Sequence, residues 1–199
     1  LLLSVSCSEK GPTSIETPVL SATNLKKLTV QGANIVIAES SQPVTLRGVA
    51  LCGAVWAHPT AVTEGNYAAT EADFSRIKSW GANVVTYYMS YQWFADESGY
   101  QRLEQMMSWA RKYDIYIVPS MMHYPYGGFR GEGGFFTNTP AKQQLIEYWV
   151  DFARRYKDRP ELAGYHIMNE PAYGDTAALK TYSEQVVDAI QQIDSVTPV

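Results

Sequence analysis

Asn169-Glu170-Pro171 places a carboxylic acid beside an amide at the end of a short apolar run, Gly164-Tyr165-His166-Ile167-Met168. The run reads as a buried parallel strand, and the proline directly after the acid ends it because it cannot donate to a sheet. Where strands and helices alternate around a barrel, groups at the carboxyl ends of the strands line the active site. An ionisable side chain there is a candidate for catalysis. A carboxyl group among apolar and aromatic neighbours resists ionisation, the setting in which a glutamate acts as a general acid near neutral pH. The structural alternative for Glu170 is a buried carboxylate paired with a lysine or arginine.

The other groups capable of chemistry are fewer. The chain has 3 histidines and 2 cysteines. His58, His123 and His166 lack metal-ligand spacing and Cys52 belongs to no C-x-x-C pair, so no metal site and no cofactor is implied. His166 shares strand parity with Met168 and Glu170 and is expected one or two layers below the acid, as packing or support. The stretch from Tyr124 to Phe136 mixes Gly127, Gly128, Gly131, Gly133 and Gly134 with Tyr126, Phe129, Phe135 and Phe136. Without the lysine of a phosphate loop it is no nucleotide cradle; it reads as the aromatic wall of a cleft, with Glu132 solvated.

Composition narrows the classes further. At 199 residues, 46% hydrophobic and 18% charged, the chain is expected to form one globular domain and a monomer. A net charge of −4 and a pI near 5.4 give no electrostatic basis for binding nucleic acid. Cys7 follows Leu1-Leu2-Leu3-Ser4-Val5-Ser6, which resembles the tail of a bacterial lipoprotein signal, with Ser4 where such signals usually carry leucine. On that reading Cys7 is lipidated, residues 8–23 are a polar tether, and the protein is extracytoplasmic, secreted or lipid-anchored at a bacterial surface or in the periplasm; an ordinary cleaved signal peptide or a frayed terminus is the alternative.

The elements that must position Glu170 follow from periodicity. Leu28-Thr29-Val30 and Ile35-Val36-Ile37 flank a turn signal and predict a hairpin; Val44 to Cys52 predicts the next strand. Glu71 to Trp80 reads as a helix capped by Thr70 and ended by Gly81, before a strand from Asn83 to Tyr88. Gly99 to Lys112 is the next helix, leading into Ile115 to Val118. Pro140 to Tyr156 follows, with Thr139 as the expected cap, then the strand Ala163 to Met168 and the helix Ala177 to Ile193. Thr197-Pro198-Val199 reads as the approach to another strand.

This alternation means an α/β architecture, either an open doubly wound sheet or a (β/α)8 TIM barrel. A doubly wound nucleotide-binding sheet carries a glycine-rich turn after its first strand, and Leu51 to Thr63 contains only Gly53, which favours the barrel. A barrel takes about 250 residues. The chain therefore reads as about the first four β/α units, preceded by a hairpin: residues 1–23 are leader and tether, 24–199 the amino-terminal half of the barrel.

From about Leu25 to Val199 the sequence resembles glycoside hydrolase family 5, the cellulase and mannanase family. The likeness rests on the amino-terminal hairpin, Leu46-Arg47-Gly48-Val49, Gly81-Ala82-Asn83-Val84-Val85, His123 after the third strand, and Asn169-Glu170-Pro171 on the fourth. The resemblance implies that Glu170 is the general acid/base, that Asn169 hydrogen-bonds the substrate 2-hydroxyl, and that His123 contacts the active site. Its substrate would be a β-linked polysaccharide or oligosaccharide, cleaved with retention by an acid/base and a nucleophile about 5–5.5 Å apart and therefore on different strands. Trp56, Tyr88, Tyr91, Trp93 and Tyr126 follow strands one to three and are candidate platforms for stacking on sugar rings; His58 is a candidate contact in a loop. Trp149, on a helix stripe, is core.

Two departures accompany the resemblance. Thr86 stands where the family usually carries an arginine that keeps the nucleophile ionised. The family nucleophile lies on the seventh strand, beyond Val199, so the 199-residue chain alone is expected to be inactive. A catalytically silent glycan-binding barrel is the rival, which Thr86 favours; an unrelated (β/α)8 enzyme is a third reading.

Overall fold

The structure, a computed structural model, describes residues 23–51, 69–95, 97–126, 128–129, 134–172 and 174–199. Trp56, His58 and Cys7, with the leader and Cys52, lie outside the described residues. Among those described, no helix is long and apolar enough to cross a membrane.

The chain opens with an antiparallel hairpin, β1 (Leu28–Gln31) and β2 (Asn34–Ile37), in the register Leu28 to Ile37. Parallel strands and helices then alternate: β3 (Gly48–Leu51), α1 (Glu71–Ser79), β4 (Val84–Ser90), α2 (Glu97–Lys112) and β5 (Tyr116–Tyr124). A two-residue strand β6 (Gly128–Phe129) folds back antiparallel on the end of β5, and α3 (Thr139–Tyr156) and α4 (Thr176–Gln191) follow. The sheet order is β3-β4-β5-β6. At Gly48 an added Cβ would sit 1.8 Å from the Val84 carbonyl oxygen, so only glycine lets β3 approach β4 this closely. The expected strand Val44 to Cys52 is thus shorter among the described residues, and its first half packs as an extended lead-in.

Local chemistry explains the helix starts. The Asp73 carboxylate accepts from both the Thr70 N–H and hydroxyl at 2.8 Å, which fixes the first turn of α1. The cap of α3 is Asn138, whose side chain accepts from the Ala141 N–H at 3.0 Å. That corrects the expected Thr139 cap: the helix starts one residue earlier and Thr139 is already inside it. Asp175 does the same for α4 through the Ala178 N–H at 2.7 Å.

The two faces of the sheet are packed differently. Val85, Tyr87 and Met89 of β4 and Ile117 and Met121 of β5 pack against Phe74, Leu103, Met106, Trp149 and Phe152 of the helices. The opposite, inner face carries Val84, Tyr116 and Val118, with Ala163; its lower end is sealed by Leu25, Leu28, Ile35 and Ile37 of the hairpin segment. Buried Asp194 locks this base. It accepts from Lys27 at 3.2 Å, from the Tyr165 hydroxyl at 2.8 Å and from the Thr197 N–H at 3.1 Å.

The fourth strand departs from the expected regular Ala163–Met168. The segment pairs in parallel with β5 at two isolated points, Leu162 opposite Ile117 and His166 opposite Ser120. On its other edge the Tyr165 N–H reaches the Pro198 carbonyl at 2.9 Å, and the Ile167 carbonyl is drawn to the Trp149 indole N–H at 3.2 Å. The N–H groups of Ala163, His166 and Asn169 donate to the carbonyls of Ile117, Pro119 and Met121, so the segment advances three residues for every two of β5 and does not form a continuous regular strand.

Candidate active site

On the inner face above the sealed base, side chains from three adjacent strands lie in rows. Thr86 is in register with Ala50 on one side and Val118 on the other. One row higher, Tyr88 is opposite Ser120 and Ser120 is opposite His166. The Ser120 hydroxyl and His166 Nδ1 are 2.7 Å apart. Burial lowers the pKa of His166 and favours the neutral ring. His166 lies on the inner face opposite Ser120, a serine that sequence reasoning passed over.

The top row depends on an irregularity. The pairing of β4 and β5 runs from Val84–Tyr116 to Met89–Met121, then jumps to Ser90–His123. Met122 is one extra residue in β5, a bulge of a kind uncommon in parallel pairs. It restores His123 to the inner face beside Ser90; without it, alternation would send His123 to the helix side with Met121. The Ser90 hydroxyl lies 3.4 Å from His123 Nδ1 and also accepts from the Gln92 N–H at 3.3 Å. Tyr91 stacks on the imidazole, with centroids 6.0 Å apart and 18° between the planes.

Asn169 and Glu170 meet this row from the fourth segment. Asn169 is buried. Its N–H donates to the Met121 carbonyl at 2.7 Å, its carbonyl accepts from the Tyr124 hydroxyl at 2.8 Å, and its side-chain amide donates to Met122 Sδ at 3.0 Å. Beyond that point the edge of β5 is taken by β6, which pairs with His123 and Tyr124. The fourth segment has to leave the sheet there. Glu170 turns it away with φ of 46°, a left-handed conformation that a non-glycine residue adopts at some cost in energy.

Glu170 is exposed, in contrast to the apolar burial expected from its run of neighbours. Met168 and Asn169, just before it, remain packed.

The aromatic candidates divide. Tyr88 and Tyr91 are half-buried on or beside the inner face, and Tyr126, just past β5, is 73% exposed. Trp93 is 0% exposed. It sits in the short 3-10 turn Tyr91–Phe94, edge-on to Tyr87 at 5.6 Å, and the α2 start closes over its backbone so tightly that a Cβ on Gly99 would lie 2.0 Å from the Trp93 carbonyl. It is core and has no face to offer a sugar. Phe135 and Phe136 are likewise buried, with Phe135 edge-on to Tyr182 of α4 at 5.3 Å, so that end of the loop is packing and forms no cleft wall.

The arrangement is a carboxyl group, an amide, an imidazole and tyrosine faces collected at the carboxyl ends of parallel strands. Over residues 37–197 the chain matches the family Cellulase (glycosyl hydrolase family 5). It is 26% identical over 144 residues to a beta-xylosidase of Phanerodontia chrysosporium, a match covering 64% of this chain and 30% of that protein. Its fold is similar to that of a beta-glucanase from Saccharophagus degradans, with a TM-score of 0.67 at 19% identity over 92% of this chain and 57% of the other. It is also similar to endo-glycoceramidase II from Rhodococcus sp., captured as a lactosyl-enzyme intermediate, with a TM-score of 0.64 at 18% identity over 78% and 48%. The chain thus spans about a third of the curated relative and about half of each solved structure. With the family match extending over most of its length, the chain belongs to glycoside hydrolase family 5.

Proposed function

We propose that the full-length protein is a retaining β-glycosidase acting on a β-linked polysaccharide, cellulase- or mannanase-like, and that this chain supplies the acid/base half of its site within a (β/α)8 barrel. The observation that carries the reading is the placement of Glu170: exposed, in a left-handed turn, immediately after buried Asn169 and next to the row that holds His123. A carboxyl group so placed reaches a substrate lying across the strand ends. The relative trapped as a lactosyl-enzyme intermediate supports a covalent, retaining course, and the beta-glucanase and beta-xylosidase relatives support a β-glycan substrate.

The chemistry runs as two displacements. The Glu170 carboxyl gives its proton to the glycosidic oxygen as the bond to the anomeric carbon breaks, while a carboxylate from a strand beyond Val199 forms a bond to that carbon. Glu170, now a carboxylate, takes a proton from water as the water oxygen displaces the nucleophile. Asn169 holds the 2-hydroxyl, where hydrogen bonds strengthen in the transition state. His123, kept upright by Ser90 and Tyr91, lines the same site, and Tyr88, Tyr91 and Tyr126 offer stacking faces. A polysaccharide substrate does not enter a cell, so the reading places the protein outside the cytoplasm, with Cys7 as its lipidation site.

The test is the anomer first released by the full-length protein from a β-glycan, followed by proton NMR before mutarotation. Release of the β-anomer agrees with the reading; release of the α-anomer, or no hydrolysis, overturns it. The second reading, a silent glycan-binding barrel, is favoured by Thr86, which fills its row between Ala50 and Val118 with a short hydroxyl side chain. Glycan binding without hydrolysis would establish it.

A further inference from the structure

We infer that Met122 is a positioning residue for Asn169: its thioether sulfur holds the side-chain amide in the one orientation that presents Asn169 to the substrate 2-hydroxyl. The inference rests on the role proposed above for Asn169 and adds the group that sets it.

An asparagine side chain has two nearly isosteric ends, an NH2 with two donors and an oxygen that accepts. A buried amide without a fixed partner can present either end, and only one suits a given hydroxyl geometry. Asn169 is 6% exposed and Met122 8%, so water does not make the choice. The backbone of Asn169 is already fixed from β5, by the Met121 carbonyl at 2.7 Å and the Tyr124 hydroxyl at 2.8 Å. What remains free is rotation of the side chain. Met122 Sδ, 3.0 Å from Nδ2, is the recorded partner of that amide among the described residues. It takes one N–H and so decides which end of the amide is turned toward it.

The bulge makes this possible. Regular alternation would put residue 122 on the same side as Ser120 and residue 123 opposite; the extra residue lets both Met122 and His123 serve the upper site. The thioether is also a weak acceptor, so it selects an orientation without competing strongly for the donors that substrate needs. Leucine at this position would fill a similar volume and leave the amide unfixed.

The experiment uses the full-length protein, an aryl β-glycoside with a good leaving group, and its 2-deoxy analogue. Met122→Leu is expected to lower kcat/KM on the 2-hydroxy substrate by about 3- to 10-fold, the worth of one hydrogen bond, and to leave the 2-deoxy substrate unchanged. Met122→Gln, which returns an acceptor of similar reach, is expected to recover most of the loss. Equal losses on both substrates would show a merely structural role and overturn the inference, as would no loss on either. Asn169→Ala separates the two levels. If it shows the 2-hydroxyl-dependent loss and Met122→Leu does not, the Met122 inference alone falls; if it shows none, the role of Asn169 falls and the inference with it.

Discussion

His166 and Ser120 face each other across the inner side of the sheet, with the imidazole Nδ1 2.7 Å from the hydroxyl oxygen. The pair joins the fourth segment to the middle of β5, between the backbone bonds that Ala163 and Asn169 make to the same strand. It thereby sets the height at which Asn169 and Glu170 emerge.

The pair gives stability a pH dependence of known sign. Burial lowers the folded pKa of His166 below its unfolded value, which is about 6.5. Above that value both states are neutral and the stability is intact. As pH falls through it, the unfolded chain binds the proton first, and stability is lost until the folded pKa is passed. Urea midpoints of the full-length protein at pH 7.5 and 5.5 should therefore drop on acidification, and His166→Gln should remove part of that drop. An identical pH slope in both proteins would contradict the assignment.

Asp194 makes a second stability prediction. Burial pushes its carboxyl up, but the donors of Thr197, Tyr165 and Val196 outweigh burial and hold it below the ordinary value. Its contribution is present above the unfolded pKa of about 3.9 and is lost as pH falls through the lower folded one. Asp194→Ala leaves Lys27 with the Lys157 carbonyl alone and takes the acceptor from the Tyr165, Val196 and Thr197 donors, and a cost of about 2–4 kcal/mol is expected in urea unfolding at pH 7. A change under about 0.5 kcal/mol, ordinary for surface positions, would show that the base of the fold is held elsewhere.

Trp93 and Tyr126 separate packing from binding. Trp93→Ala empties a fully buried site and should destabilise by about 3–5 kcal/mol. Tyr126→Ala removes an exposed ring and should leave the unfolding midpoint unchanged while raising KM for polysaccharide. Thermal melts and glycan kinetics on the two variants check this; a stable Trp93→Ala protein with weakened glycan binding would reverse the assignment.

Much of this frame is legible in the residues. Runs of β-branched and other apolar residues mark β1, β2 and β4, and Thr70 marks the start of α1, whose cap closes within three residues. The position of Asn169-Glu170-Pro171 at the end of the fourth segment is legible because an apolar run precedes it and a proline closes it. What escaped reading depends on partners distant in sequence. The Met122 bulge leaves no compositional trace, since it exists only in the register of β5 against β4. Trp93, Phe135 and Phe136 look like loop aromatics until Tyr87 and Tyr182 are seen to cover them. The left-handed backbone of Glu170, with φ of 46°, stands where β6 takes over the edge of β5, and no local pattern announces it.

The central claim is that Glu170 is the proton donor to the leaving group. Glu170→Gln in the full-length protein keeps the shape and removes the proton. Its kcat/KM should fall by about 10²- to 10⁴-fold on a β-glycan or other poor leaving group, and far less on an activated aryl glycoside whose departure needs little protonation. Equal losses on both substrates would contradict the acid role of Glu170.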